Sequence, residues 1–251
     1  MKKTEPFTII YEDENIIAVN KASGIAVCAD RWDPSSLRLD KLVASHLEKK
    51  IFMVHRIDRD TSGLVVFAKN QVSHKKLSLA FETRQIKKLY IAAVQGRPLW
   101  TEKTCDLPLV PNGNKKHMTI IDKYRGKKSL TVFKLLGSAG NYSIVKAIPE
   151  TGRTHQIRVH LASLGHPVIC DELYGNVKPV FLSAFKSNWR GDKAEERPLL
   201  SRLGLHALEL EIPEQFSLSK DKLFLKALLS KDMAALIKQM EKCSKSFNPL
   251  Q

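Results

Sequence analysis

The chain has 251 residues, 43% hydrophobic and 27% charged, a composition ordinary for a soluble globular protein that needs no covalent staples. Forty-one Lys and Arg against 26 Asp and Glu leave a formal charge of +15 and a pI near 9.7, an excess that gathers polyanions. Nucleic acid is the partner this favours, and an inert basic surface is the plain alternative. Cys28, Cys105, Cys170 and Cys243 form no CxxC or Cys/His pair, which argues against both a zinc site and a secreted disulfide framework. No signal-like apolar region follows Met1 and no run reaches membrane-spanning length, so a cytoplasmic protein without membrane contact is expected.

In chain order, Phe7 to Tyr11 and Ile16 to Asn20 are β-favouring runs around the acidic turn Glu12-Asp13-Glu14-Asn15, a predicted hairpin that ends at Lys21-Ala22-Ser23-Gly24. Leu39, Leu42, Val43, Ala44 and Leu47 share one face of a helix. Val54-His55-Arg56-Ile57-Asp58-Arg59-Asp60-Thr61-Ser62-Gly63 follows, closed by the apolar strand run Leu64 to Ala68. An aspartate lies there in a loop between apolar segments, where a carboxylate can be held at the end of a strand. A helix from Lys69-Asn70 buries Leu77, Ala80 and Phe81, and Ile86 to Gly96 alternates as a strand that sets Lys88 and Tyr90 on one side.

From Arg97 to Lys128 the apolar period is lost. Prolines, Asn112-Gly113 and the basic groups Lys115-Lys116-His117 and Lys123-Tyr124-Arg125-Gly126-Lys127-Lys128 predict turns, hairpins and a cationic loop surface. Rings interleaved with lysines suit RNA, although an ordinary solvated hairpin fits the segment equally well. Leu130 to Leu136 and Tyr142 to Ile148 pair across a Gly137–Gly140 turn. A helix starting at Thr154 and ending before Gly165 places Ile157, Leu161 and Leu164 in a core. Arg158 adjoins that buried stripe, where a guanidinium is costly unless a carboxylate meets it. His155 and His160 lack the spacing of a metal site. Residues 176–202 read as an irregular basic surface insertion, Leu205 to Ile212 and Leu223 to Leu228 as strands, and Met233, Leu236, Ile237 and Met240 as a closing amphipathic helix. No repeat or linker divides the chain, so 1–251 is expected to be one catalytic domain.

His55 to Gly63 and Thr151-Gly152-Arg153-Thr154-His155-Gln156-Ile157-Arg158, with their connecting elements in order, resemble the RluA family of RNA pseudouridine synthases over nearly the whole chain. Three positions depart from its pattern: Ala22 stands where a proline is usual, Ile57 replaces a leucine and Cys170 a glycine. The resemblance implies an α+β fold with a long mixed, mainly antiparallel sheet flanked by helices and loops, and a central active-site cleft. No N-terminal S4 module resembling that of larger members is recognised, and a monomer is expected.

The activity so implied converts uridine to pseudouridine in large-subunit ribosomal RNA, transfer RNA or both, with no metal or other cofactor. DNA is not an expected partner. Asp58 is then the catalytic carboxylate, acting as nucleophile or as base, Arg158 its charge partner and Tyr90 the ring that stacks on the uracil. Arg56, as an RNA-inserting guanidinium, is placed on the substrate side with Lys88, His55 and Arg153; His55 also shapes the loop. A kinase-like reading of His55-Arg56-Ile57-Asp58 fails for want of a glycine-rich nucleotide loop or Asp-Phe-Gly. The rival from another class is a non-catalytic RNA-binding protein on the same scaffold.

Overall fold

Short β-branched runs punctuated by turns, with four amphipathic stretches between them, produce a mixed architecture in the computed structural model, which describes residues 5–29, 35–114, 118–186, 188–217, 221–244 and 247. The elements in order are β1 (Phe7–Glu12), β2 (Ile16–Lys21), α1 (Leu39–Leu47), β3 (Phe52–Met53), β4 (Ser62–Ala68) and α2 (Gln71–Glu82). Next come β5 (Lys87–Gln95), β6 (Glu102–Cys105), β7 (Leu109–Val110), β8 (Ile120–Ile121), β9 (Thr131–Ala139), β10 (Tyr142–Pro149) and α3 (Gln156–Ser163). The last are β11 (Leu205–Ile212), β12 (Leu223–Lys226) and α4 (Lys231–Cys243), with 3-10 turns at Leu182–Ala184 and Glu214–Phe216. Lys115, Lys116 and His117, part of the expected cationic surface, lie outside the described residues.

The chain forms two compact units, each assembled from two stretches: 1–89 with 206–229, and 90–205 with 230–251. Neither unit is contiguous, which is why no linear boundary is visible in the sequence.

In the first unit, β4 is the central strand. All seven of its residues are buried, as expected of an apolar run covered on both faces. It pairs antiparallel with β2 from Gly63 to Ala68 and parallel with β11 at Ser62 and Gly63, while β1 extends the sheet beyond β2 and β12 pairs with β11. Helix α2 packs on β4 through Leu77 and Ala80. Asn70 caps it, its side-chain oxygen accepting the Ser73 N–H at 2.9 Å.

In the second unit, β5, β10, β9 and β6 are antiparallel neighbours in that order. The core under them includes Val94, Phe133, Val145, Ile157, Leu161 and Leu205. Helix α3 packs on β9 and β10, and α4 on β9, burying Met233, Leu236, Ile237 and Met240 as the periodicity predicts.

Two sequence expectations need correction. β9 does not stop before Gly137: it runs to Ala139, and a bulge at Ile144/Val145 absorbs the extra residue, so the hairpin closes tightly at Gly140 and Asn141. Helix α3 begins at Gln156 rather than Thr154. His155 takes the cap position in a left-handed conformation (φ 51°), and the Gln156 side chain, not a threonine hydroxyl, accepts the Arg153 N–H at 3.0 Å.

Candidate active site

Asp58 lies between β3 and β4 in a turn closed by a Thr61 N–H bond to its carbonyl at 3.2 Å. Groups from the end of β2 hold this turn from below. Lys21 Nζ donates to the carbonyls of Arg59 (2.8 Å) and Ala22 (2.9 Å), the Gly24 N–H to Arg59 O (3.0 Å), and Ser23 Oγ to Asp60 O (2.6 Å). Lys21 is only 1% exposed, and an ammonium is tolerated at such a site only where oxygens replace water. Ala22, which departs from the expected proline, uses the N–H that proline lacks: it donates to Pro6 O at 3.0 Å.

The far side of the turn is fixed by the parallel pairing of β4 with β11. Ser62 Oγ and His206 Nδ1 bond at 2.9 Å, and Gly63 sits at φ 111° with room for no side chain, since a Cβ there would lie 2.2 Å from Ala207 O. Asp60, for which the sequence suggests no role, forms a half-exposed ion pair with Arg59 at 3.4 Å, an arrangement of small energetic value.

His55 stacks on Phe81 (centroids 4.5 Å apart, planes 16°), and its Nε2 accepts the Val66 N–H at 2.9 Å. Burial, reinforced by the Lys88 charge, pushes its pKa down to about 3, so it is a neutral ring that braces β4. Lys88, on β5, is half-buried, and burial followed by the Arg84 charge lowers its pKa to about 8. Arg56 is exposed. These residues, with Asp58, belong to the first unit; Tyr90, Arg153 and Arg158 belong to the second.

Arg158 is buried in α3, its side chain 6% exposed, and a carboxylate does meet it: Nε and Nη2 donate to Asp171 Oδ2 and Oδ1 at 2.8 and 2.7 Å. Asp171 is fully buried and also accepts the N–H groups of Leu173 (3.0 Å) and Tyr174 (3.1 Å). Burial alone would raise its pKa; the Arg158 bonds and charge, with the two amides, outweigh this and hold it below the usual carboxylate value. The Tyr174 ring lies 5.2 Å from the Arg158 guanidinium carbon, while its hydroxyl accepts the Thr119 N–H (2.8 Å) and bonds His155 Nδ1 (2.9 Å). Cys170, before Asp171, adopts φ 55°, the left-handed backbone that explains why glycine is usual at its position.

Arg153 donates from Nε to Lys128 O at 3.2 Å. Tyr90, half-buried opposite Ala147 of β10, packs against the second unit's core. His160 is a core residue, bonded to Thr131 Oγ1 (3.0 Å) and Leu107 O (3.0 Å), with its pKa lowered by burial. Lys21, which holds the Asp58 turn, and Asp171 and Tyr174, which hold Arg158, are residues that sequence reasoning missed. Their signals were present in Lys21-Ala22-Ser23-Gly24 and Asp171-Glu172-Leu173-Tyr174-Gly175, which carry the resemblance without themselves suggesting a role.

Comparison with known proteins identifies this framework. A sequence model of the RNA pseudouridylate synthase family matches residues 15–163. Ribosomal large subunit pseudouridine synthase D of Zymomonas mobilis is 36% identical over 185 residues, covering 69% of this chain and 57% of that protein. Dual-specificity RNA pseudouridine synthase RluA of Vibrio vulnificus is 37% identical over 178 residues, 68% of this chain and 70% of that one. The chain spans little more than half the length of the large-subunit relatives it matches. Human RNA pseudouridylate synthase domain containing 4 shares the fold at 24% identity (TM-score 0.69, 93% of this chain and 92% of that one). Human RNA pseudouridylate synthase domain containing 1 aligns over 100% of this chain and 99% of its own at 25% identity (TM-score 0.66). These likenesses bear out the expected α+β fold with its long mixed, mainly antiparallel sheet. On the family match and the relatives together, the chain belongs to the RluA family of RNA pseudouridine synthases.

Proposed function

We propose that the protein isomerises uridine to pseudouridine in RNA, with Asp58 as the reactive carboxylate. The reaction breaks the N1–C1′ bond and forms C5–C1′, with a proton lost from C5 and one gained at N1, so it balances without redox change. Asp58 acts either as nucleophile or as the base that removes the C2′ proton. The observation that carries this reading is the construction of the Asp58 turn. A buried ammonium, a hydroxyl and an amide from the end of β2 immobilise its backbone, which is how a carboxylate is kept aimed rather than left to wander on a loop. Arg158 and Tyr90 enter the proposal through the motifs to which they belong, as charge partner and base-stacking ring, and Arg56, Lys88 and Arg153 as RNA-facing cations. His55 enters as a brace.

Large-subunit ribosomal RNA and transfer RNA are both proposed substrate classes, the names of the relatives covering the first and a dual specificity. The test is Asp58→Asn, made in the full chain and returned to cells lacking the native gene, with pseudouridine mapped across all RNA. Loss of one or a few sites in the deletion strain, restored by wild type and not by Asp58→Asn, is expected, with RNA binding retained. Equal maps for wild type and variant, with both binding RNA, would favour the non-catalytic binding protein.

A further inference from the structure

The basic hairpin between β6 and β9 carries a feature that the reaction at Asp58 does not use. Tyr124 is 98% exposed, and no other large apolar side chain between Thr119 and Leu130 is exposed. A tyrosine ring ordinarily buries most of its apolar surface. Here the ring is exposed on a turn whose backbone is tied by hydrogen bonds. Asp122 Oδ1 accepts the N–H groups of Tyr124 and Arg125, both at 2.9 Å, and Oδ2 accepts Arg125 Nε at 2.8 Å. The Asp122 N–H donates to Pro108 O (3.1 Å), and the Gly126 N–H returns to Asp122 O (2.9 Å). Chain approach at Gly126 is so close that a Cβ would lie 2.2 Å from Asp122 O. Leu109 and Lys127 then exchange both backbone hydrogen bonds, at 3.0 and 2.9 Å.

Charge surrounds the ring. Lys123, Arg125, Lys127 and Lys128 are exposed, and the one acid of this loop, Asp122, is engaged by Arg125. The hairpin is also fastened to the segment that carries Arg158. Arg153 Nε holds the Lys128 carbonyl, and the Thr119 N–H holds the hydroxyl of Tyr174, whose ring lies beside the Arg158 guanidinium. A group resting on this loop is therefore held in fixed register with α3.

We propose that residues 122–128 form a docking platform for an unpaired nucleotide of the RNA, its base stacked on the Tyr124 ring and its phosphates met by Lys123, Lys127 and Lys128. The proposal deepens the RNA-modifying reading and rests on it. A stacked base matches an isolated aromatic face rimmed by cations, whereas a protein hot spot buries its aromatic anchor within an apolar, water-excluding surround. Duplex RNA offers no such base face, so single strands are preferred.

The test uses the full-length protein with fluorescein-labelled oligouridylate and, separately, a duplex RNA of equal length, with affinity read by anisotropy over a KCl series. Tyr124→Ala is expected to weaken oligouridylate binding about 5- to 100-fold with an unchanged salt slope, while Tyr124→Trp keeps wild-type affinity. Duplex binding changes by less than about twofold on the stacking argument. Lys127→Ala with Lys128→Ala is expected to flatten the salt slope by roughly one to two units. Wild-type affinity in Tyr124→Ala, or equal losses on single strand and duplex, would overturn the platform while leaving the proposed reaction standing. Failure of the wild-type chain to bind either RNA would overturn both.

Discussion

The Arg158–Asp171 pair allows a prediction with a definite size. Both side chains are buried, at 6% and 0% exposure, and the carboxylate accepts two N–H groups from the guanidinium and two from the backbone. Asp171→Ala leaves a cation in α3 without this partner and exposes two amides to an emptied site. Truncation of one member of such a pair costs about 3–5 kcal/mol, a large share of the roughly 5–15 kcal/mol that holds a domain together. Asp171→Asn keeps the shape but turns an NH2 toward a donor, and is expected to lose about 2–3 kcal/mol, the penalty for leaving a charged donor unmatched. Urea unfolding at constant m-value measures both losses. The double variant Asp171→Leu with Arg158→Met should recover most of the loss, because apolar groups in place of both members of a buried pair remove the desolvation cost together with the attraction. The pH dependence has a fixed sign. The folded-state pKa of Asp171 is lowered, so its stabilisation is complete above the ordinary carboxylate value of about 3.9 and is lost as pH falls toward the lower folded value. The difference between wild type and Asp171→Asn should therefore shrink on acidification. A loss under about 1 kcal/mol in Asp171→Ala at neutral pH, well below the buried-pair range, would refute the reasoning.

Other outcomes follow from single contacts. Gly63→Ala places a methyl against Ala207 O at a left-handed φ and should lower stability by about 3 kcal/mol, read as a drop in Tm; an unchanged Tm would mean that β4 and β11 can separate cheaply. Lys88, with its pKa lowered to about 8 by burial, is charged below that pH and neutral above it, so if it faces RNA the KM should rise on the alkaline side of pH 8. Lys88→Arg stays charged and should abolish the rise; identical alkaline limbs would remove Lys88 from RNA binding. His55→Phe keeps the ring stack but loses the acceptor for the Val66 N–H, and is expected to cost about 1–2 kcal/mol in urea unfolding while leaving RNA affinity intact.

Local pattern carried a long way here. The helix over Leu39–Leu47, the strand over β5 and the four-residue stripe of α4 all follow from periodicity, because each side's partner is simply a core. Arg158 was legible in an intermediate sense: its place beside a buried stripe demands a carboxylate, and the structure supplies Asp171, thirteen residues on. The identity of that acid has no period to betray it. Lys21 is harder still. A lysine at a strand end reads as a solvated terminus, and a carbonyl 38 residues away helps to make its burial sensible. The shifted start of α3 has a local cause, the Gln156 side chain taking the Arg153 N–H in place of the expected threonine cap. Tyr124 was visible as a ring among lysines, but the turn that carries it depends on Asp122 and Gly126, which composition cannot distinguish from an ordinary turn.

The unit that holds Asp58 draws on residues up to 89 and again on 206–229. During synthesis, β4 is exposed from the ribosome long before β11, the strand it needs along Ser62 and Gly63, has been translated. The nascent aspartate loop must therefore wait, tethered to an incomplete sheet, while more than a hundred further residues emerge. A long loop must close to bring the two strands together, which marks this pairing as a late and slow event in folding.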